Sequence, residues 1–170
     1  ANCGGVVWCG GDGRPILRTR WLLARFYIVG RSPSSQVQAL AGAHVVVTGT
    51  VPDVRPYLQY ASAVVAPLRV ARGIQNKILE AMAMQQPVVT GSSCADAIGA
   101  TVGQGLLRAD TPEEFVEALK PLLESPYNAA ALGQQARRYV EQECSWQAHL
   151  SGIDSCLGSL RAKPPQEVLA

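Results

Sequence analysis

The chain has 170 residues and a mass of 18.1 kDa, which suits one domain that buries about 70% of its unfolded surface. Apolar residues make up 48% and charged residues 16%, which excludes a disordered chain, and the absence of any apolar run of about 18 residues excludes a membrane-spanning helix. The formal net charge of +2 is too small for a typical nucleic-acid-binding domain, so we expect no nucleic-acid partner.

The charge is distributed unevenly between the two halves of the chain. Residues 1–85 hold nine basic and three acidic residues, whereas residues 86–170 hold six basic and ten acidic residues. This excess of cations predicts a local anion-binding site in the first half. The five scattered cysteines contain no Cys-x-x-Cys pair and there are two histidines, so we expect no metal site, no disulfide framework and a reducing, cytoplasmic location.

Short apolar runs, most of them ended by glycine or proline, predict five strands. Continuous rather than alternating apolar residues are typical of parallel strands covered on both faces. The predicted strands, of which the last is the weakest, are residues 26–30, 45–49, 63–67, 87–91 and 106–108.

Helical patterns occupy the intervals between the strands and follow the last one. Asp53 can cap the second of these helices, and Thr111 with Glu114 forms a capping box before the fourth. In the last helix we expect a break near Gly133. The predicted helices are residues 34–41, 53–60, 74–85, 112–124 and 126–150.

Alternating strands and helices predict an α/β fold with a doubly wound parallel sheet. We expect residues 25–157 to form this domain and residues 158–170 to form a flexible tail. We interpret residues 1–24 as an atypical segment in which a first strand or helix is truncated or altered. Ligands of such sheets bind at the carboxyl ends of the strands, so we expect the site in the turns after those ends.

The segment after the third strand carries the chemistry. Arg69, Arg72 and Gly73 lie in the loop before a helix, and Lys77 lies in the first turn of that helix. Cations are unfavourable at the positive end of a helix dipole unless an anion binds there. Glu80 lies one turn beyond Lys77, where its carboxylate could accept hydrogen bonds from a ribose. The pattern fits a nucleotide site, but solvated arginines and a surface Lys77–Glu80 pair would produce it equally.

The stretch from Arg69 to Val89 resembles the nucleotide-sugar-binding core of the group-one (family 4) retaining glycosyltransferases of the GT-B fold. That core commonly reads Lys-x-Leu-Glu-Ala-Met-Ala-x-Gly-x-Pro-Val-Val. Residues 66–84 are similar, more narrowly, to the sugar transferases associated with exopolysaccharide and exosortase (PEP-CTERM) gene clusters. Further matching motifs are residues 25–30, residues 49–57 and Ser145-Trp146.

The resemblance implies a C-terminal, Rossmann-like donor-binding domain and a role for each matching residue. Glu80 would hold the ribose, and Lys77, Arg69 and Arg72 would lie near the diphosphate or the donor sugar. The same segment contributes Gly73, Ile74 and Asn76 to the donor site. In the other turns, Gly30 and Arg31 would lie near the nucleotide, and Val51 with Pro52 would border the base. The resemblance assigns no catalytic residue.

This sequence departs from the family pattern at three places. Arg72 occupies the position at which many members have a second glutamate. Gln86 occupies or adjoins the usual glycine before Pro87. No recognisable first strand occurs in residues 1–24, and we expect these 170 residues to lack the acceptor-binding N-terminal domain. Because the active site of a GT-B enzyme lies between two domains, we expect little transferase activity from this chain alone.

We therefore expect the donor half of a glycosyltransferase that uses a nucleoside-diphosphate sugar and needs no metal or other cofactor. The implied acceptor is a lipid-linked saccharide in exopolysaccharide synthesis, and such an acceptor implies a peripheral position at the inner membrane face. Two alternatives remain open at this point: a nucleotide-sugar epimerase of the same architecture, and a non-catalytic Rossmann-like binding module. Cys94 follows a strand end, but no base accompanies it, so we assign it no nucleophilic role.

Overall fold

The computed structural model describes residues 24–68, 73–100, 103–145 and 150. The predicted segment 1–24, except for its last residue, and the predicted tail 158–170 lie outside the described residues. In chain order the elements are β1 (Phe26–Val29), α1 (Ser35–Gln38), β2 (Val45–Gly49), α2 (Arg55–Gln59), β3 (Val64–Ala66), α3 (Asn76–Ala83), β4 (Val88–Thr90), α4 (Ser92–Ile98), β5 (Leu106–Arg108), α5 (Pro112–Glu124) and α6 (Pro126–Glu143). The α/β prediction and all five predicted strands are confirmed.

All strand pairs in the described part of the chain are parallel. Strand β1 pairs with β2, and β4 pairs with β3 on one side and with β5 on the other. Among the described residues, the hydrogen-bonded strands therefore form a two-stranded and a three-stranded parallel sheet. Within each sheet the carboxyl ends of the strands lie at the same edge.

The three-stranded sheet lies between two layers of helices because neighbouring residues of a strand point to opposite faces. Val88 belongs to the apolar cluster that includes residues of α3, α4 and α6, and Val89 belongs to the cluster that includes residues of α5. Strand β4 is buried throughout, as predicted. The prediction that both faces of the strand are covered was wrong for β1 and β2, since Tyr27 of β1 is 47% exposed and Val46 of β2 is 38% exposed.

The predicted caps are present in altered form. Thr111 Oγ1 accepts a hydrogen bond from the Glu114 N–H (3.2 Å), but the Glu114 carboxylate accepts from the Asp110 N–H (2.7 Å) instead of closing the box on Thr111. Helix α2 begins at Arg55 with Val54 at the N-cap, so Asp53 is not the cap that we predicted. Its carboxylate still accepts from the Arg55 N–H and pairs with the Arg55 guanidinium.

Helix α4 was not predicted, and α6 differs from its prediction at Gly133. The helix continues through Gly133 without a break, because this glycine is the point at which α6 packs against the turn after α3. A Cβ at residue 133 would overlap the carbonyl oxygen of Gln85. Gly133 therefore permits close approach of the two segments and does not end the helix.

Helix α3 ends in a Schellman motif. The Gln86 N–H donates to the Ala81 carbonyl and the Gln85 N–H to the Met82 carbonyl, both at 3.0 Å. Gln85 has a φ of +60°, in the left-handed region that favours glycine. The turn residue that departs from the usual glycine is therefore Gln85, adjoining the Gln86 named from the sequence.

We expect Gly133→Ala to lower the free energy of unfolding by about 2 kcal/mol, since overpacking against Gln85 outweighs the ~1 kcal/mol that alanine contributes to helix propensity. Urea denaturation followed by circular dichroism measures this. Gln134→Ala, at the adjacent exposed position, is the control and should change stability by less than about 0.5 kcal/mol. A stabilising Gly133→Ala would contradict the close approach.

We expect Gln85→Gly to raise the free energy of unfolding by about 1 kcal/mol, because glycine adopts the left-handed conformation without the steric cost of a Cβ. The same denaturation experiment measures the change. Gln86→Gly is the matched control, and it should not stabilise the protein, since residue 86 lies outside the left-handed region. Equal effects of the two glycines would refute this account.

Candidate functional site

Three strand ends lie at one edge of the larger sheet. Because β3, β4 and β5 are parallel, the residues that follow Ala66, Thr90 and Arg108 leave the sheet on the same side. Ligands of parallel α/β folds bind in the crevice outside this edge. The chain continues from β3 through Pro67 and Leu68, both buried, and helix α3 follows from residue 76.

Helix α3 buries an apolar side and exposes a charged one. Ile78, Ala81 and Met82 are completely buried in the cluster beneath the helix. Lys77 and Glu80, one turn apart, are exposed, and neither forms an ion pair with another described residue. The packing of α3 thus leaves one cation and one carboxylate exposed and without an ion-pair partner among the described residues.

The N-terminus of α3 has no side-chain cap. Gln75 occupies the N-cap position, and its side-chain amide donates to the Gly73 carbonyl (3.3 Å) instead of accepting from the helix. Uncapped N–H groups give a helix start a positive potential, which Lys77 in the first turn increases. Asn76 and Ile74, the other predicted residues of this segment, are exposed beside it.

Other predicted residues either follow strands of the smaller sheet or lie outside the described residues. Gly30 and Arg31 are exposed directly after β1, and Val51 is half-buried just after β2, so these three follow the carboxyl ends of the smaller sheet. Arg69 and Arg72 lie outside the described residues. The structure therefore places the described candidates after strand ends, as the fold prediction requires, and it assigns them no role.

A group of hydrogen bonds that we did not predict joins the ends of β3, β4 and β5. The Thr90 hydroxyl, completely buried, donates to the Ala66 carbonyl at 2.9 Å. Ser92 donates to the Asp110 carboxylate through its N–H (2.8 Å) and its hydroxyl (2.5 Å). These bonds lower the pKa of the Asp110 carboxyl below its ordinary value. The signals in the sequence were a threonine inside an apolar run and an acid before a helix cap.

Cys94 is completely buried, with its Sγ atom 3.9 Å from the Leu68 carbonyl oxygen, so it contacts the interior of the protein. No cluster of three or more histidine, cysteine or acidic side chains suited to a metal occurs within residues 24–68, 73–100 and 103–145. In the same part of the chain, no helix has the length and apolar character needed to cross a bilayer.

Three solved structures are similar in fold to this chain. Sucrose-phosphate synthase from Thermosynechococcus elongatus superimposes with a TM-score of 0.69 at 19% identity, covering 93% of this chain and 42% of that one. HepE from Anabaena in complex with UDP superimposes with a TM-score of 0.71 at 17% identity, covering 89% of this chain and 46% of that one. WaaG, a glycosyltransferase involved in lipopolysaccharide biosynthesis, superimposes with a TM-score of 0.63 at 18% identity, covering 92% of this chain and 43% of that one.

The chain spans less than half the length of these three proteins, and at such identities the similarity concerns the fold. Comparison with the sequences of curated proteins gives no significant match. A family model described as glycosyl transferases group 1 matches residues 13–125, well over half of the chain. The parallel α/β fold agrees with GT-B structures, and the chain belongs to the group 1 glycosyltransferases.

Proposed function

We propose that this chain is the donor-binding half of a retaining glycosyltransferase that takes its sugar from a nucleoside-diphosphate sugar. The observation that carries the proposal is the arrangement on α3, where an uncapped helix start, Lys77 and Glu80 lie after the carboxyl end of β3. Family membership favours a transferase over the epimerase and the non-catalytic module that the sequence left open.

Each feature of α3 suits one part of such a donor. The positive helix start and the Lys77 ammonium attract the diphosphate, and each charge-assisted contact contributes on the order of 1.5–3 kcal/mol. The Glu80 carboxylate, an acceptor without a cationic partner among the described residues, can accept from two ribose hydroxyls. Gly73, Ile74 and Asn76 border the diphosphate in this proposal.

The leaving diphosphate would be stabilised by cations and helix N–H groups instead of a metal ion. Such stabilisation acts where negative charge develops as the glycosidic bond to the diphosphate breaks. Arg69 and Arg72 would add to it from the loop before α3, while Gly30 and Arg31 would contact the nucleotide and Val51 the base. The sugar would leave with retained configuration.

The solved relatives support a uridine nucleotide as the first donor to test. Structures of HepE from Anabaena contain UDP, UDP-glucose, or UDP with glucose. WaaG acts in lipopolysaccharide biosynthesis, which supports a lipid-linked saccharide acceptor. A place in exopolysaccharide synthesis near exosortase-associated transferases, at the cytoplasmic membrane face, remains part of this proposal and rests on the sequence motifs alone.

We further propose that the 170 residues bind donor but transfer little sugar by themselves. In GT-B enzymes the acceptor is held by a second domain, and this chain spans under half the length of the solved structures it resembles. Isothermal titration calorimetry against UDP, GDP and the corresponding sugar donors therefore tests the function more directly than a turnover assay. Failure of the wild-type chain to bind any of these ligands would contradict the proposal.

We expect Lys77→Ala to weaken UDP binding about tenfold and to leave uridine binding unchanged, because uridine lacks the phosphates that the ammonium contacts. Calorimetry with both ligands measures the difference. The matched control is Lys120→Ala on α5, a helix that packs on the opposite face of the sheet. Equal losses for UDP and uridine would remove Lys77 from the phosphate site.

We expect Glu80→Ala to abolish the preference for UDP over 2′,3′-dideoxy-UDP, because the carboxylate is proposed to accept from the two hydroxyls that the analogue lacks. Wild type should bind UDP about tenfold more tightly than the analogue. Glu117→Ala, exposed on α5 three residues before Lys120, is the control and should keep the preference. If Glu80→Ala also keeps it, the ribose assignment is wrong.

A further inference from the structure

We propose that Thr90 is a positioning residue for the diphosphate site: its buried hydroxyl sets the direction in which the chain leaves β3 toward α3. This inference rests on the proposed function, because it concerns how the α3 site is held in place. Thr90 is completely buried and so cannot touch a ligand. Its effect has to be exerted through the backbone that it binds.

The Thr90 hydroxyl binds the last residue of β3. Ala66 and Thr90 are partners in the parallel register, and the hydroxyl donates to the Ala66 carbonyl at 2.9 Å. The same carbonyl accepts the Leu68 N–H at 2.8 Å, which folds the chain sharply directly after the strand. One acceptor therefore joins the end of β4 to the turn that leads out of β3.

Gly91 and Cys94 hold the next carbonyl of that turn. A Cβ on Gly91 would lie 2.7 Å from the Leu68 carbonyl oxygen, closer than real side chains approach, so this position requires glycine. The Cys94 thiol donates to the same oxygen at 3.9 Å. Leu68 as a whole is 3% exposed, so the turn is held by burial as well as by these backbone contacts.

The end of β5 holds β4 in turn. Asp110 accepts from the N–H and the hydroxyl of Ser92, the first residue of α4, and the Asp110 N–H donates to Glu114. The three strand ends are thus joined in series, from α5 through α4 to the turn after β3. In this proposal, displacing that turn shifts the start of the segment that follows it in the chain and carries Lys77.

The residue type at position 90 supports this role. The two preceding positions of β4 are buried valines, and valine has the shape of threonine without its hydroxyl. A buried hydroxyl costs free energy unless it is hydrogen-bonded, so packing alone would favour valine there as well. The hydrogen bond to Ala66 is the contribution that valine cannot make.

The experiment compares Thr90→Val, which removes the hydroxyl at constant shape, with Thr90→Ser, which keeps it. Gly91→Ala provides a second route to the same displacement, and Val116→Ala, which changes a buried residue of α5, controls for loss of stability alone. Calorimetry with UDP and uridine measures binding. Hydrogen exchange of the Leu68 amide, relative to amides of α5, measures the turn without any ligand.

We expect Thr90→Val and Gly91→Ala to weaken UDP binding about tenfold with uridine unchanged, and to speed exchange at Leu68. Thr90→Ser should keep the UDP affinity and the Leu68 exchange rate of the wild type, and Val116→Ala should alter neither. If Thr90→Val lowers the melting temperature but keeps UDP affinity and Leu68 exchange at the values of Val116→Ala, Thr90 is merely structural and the inference is overturned. If the wild-type chain does not bind UDP, the proposed function is overturned instead. The exchange rates at Leu68 would then decide whether Thr90 holds the turn.

Discussion

The structure depends on the burial of strand β4 between two parallel neighbours. Val88 and Val89 are completely buried on opposite faces, and through them the strand connects the apolar cluster beneath α3 and α6 to the cluster beneath α5. Since both faces and both edges of β4 are occupied, its position is determined more strongly than that of β1 or β2. The ends of β3 and β5 pair with β4 and are held in place with it, and the candidate site lies beyond these strand ends.

Helix α3 is the link between this core and the candidate chemistry. Its apolar side is held by the core, and its end is held where Gln85 meets Gly133 of α6. These two constraints leave the helix little freedom to rotate about its axis, because a rotation would expose Ile78 or Met82. The exposed positions of Lys77 and Glu80 therefore follow from packing that involves neither residue.

The sequence predicted the elements well wherever a local pattern was strong. The apolar runs indicated the five strands, and Thr111 with the spacing of Phe115, Leu119 and Leu122 indicated α5 at its observed bounds. Local patterns failed where tertiary contacts decide the outcome. Gly133 has the low helix propensity of a breaker, yet it lies inside a continuous helix because another segment approaches it. Helix α4 starts with two serines directly after Gly91, and such a sequence alone is typical of a turn.

The sequence by itself determined the α/β class, the strand order along the chain and the basic segment with Lys77 and Glu80, because periodicity and residue type are local properties. The tertiary structure decided that the strands pair as two parallel sheets, and that Gln85 is the left-handed residue of the turn after α3. It also revealed the bonds from Thr90 to Ala66 and from Ser92 to Asp110. These pairs are 24 and 18 residues apart, so folding alone brings their donors and acceptors together.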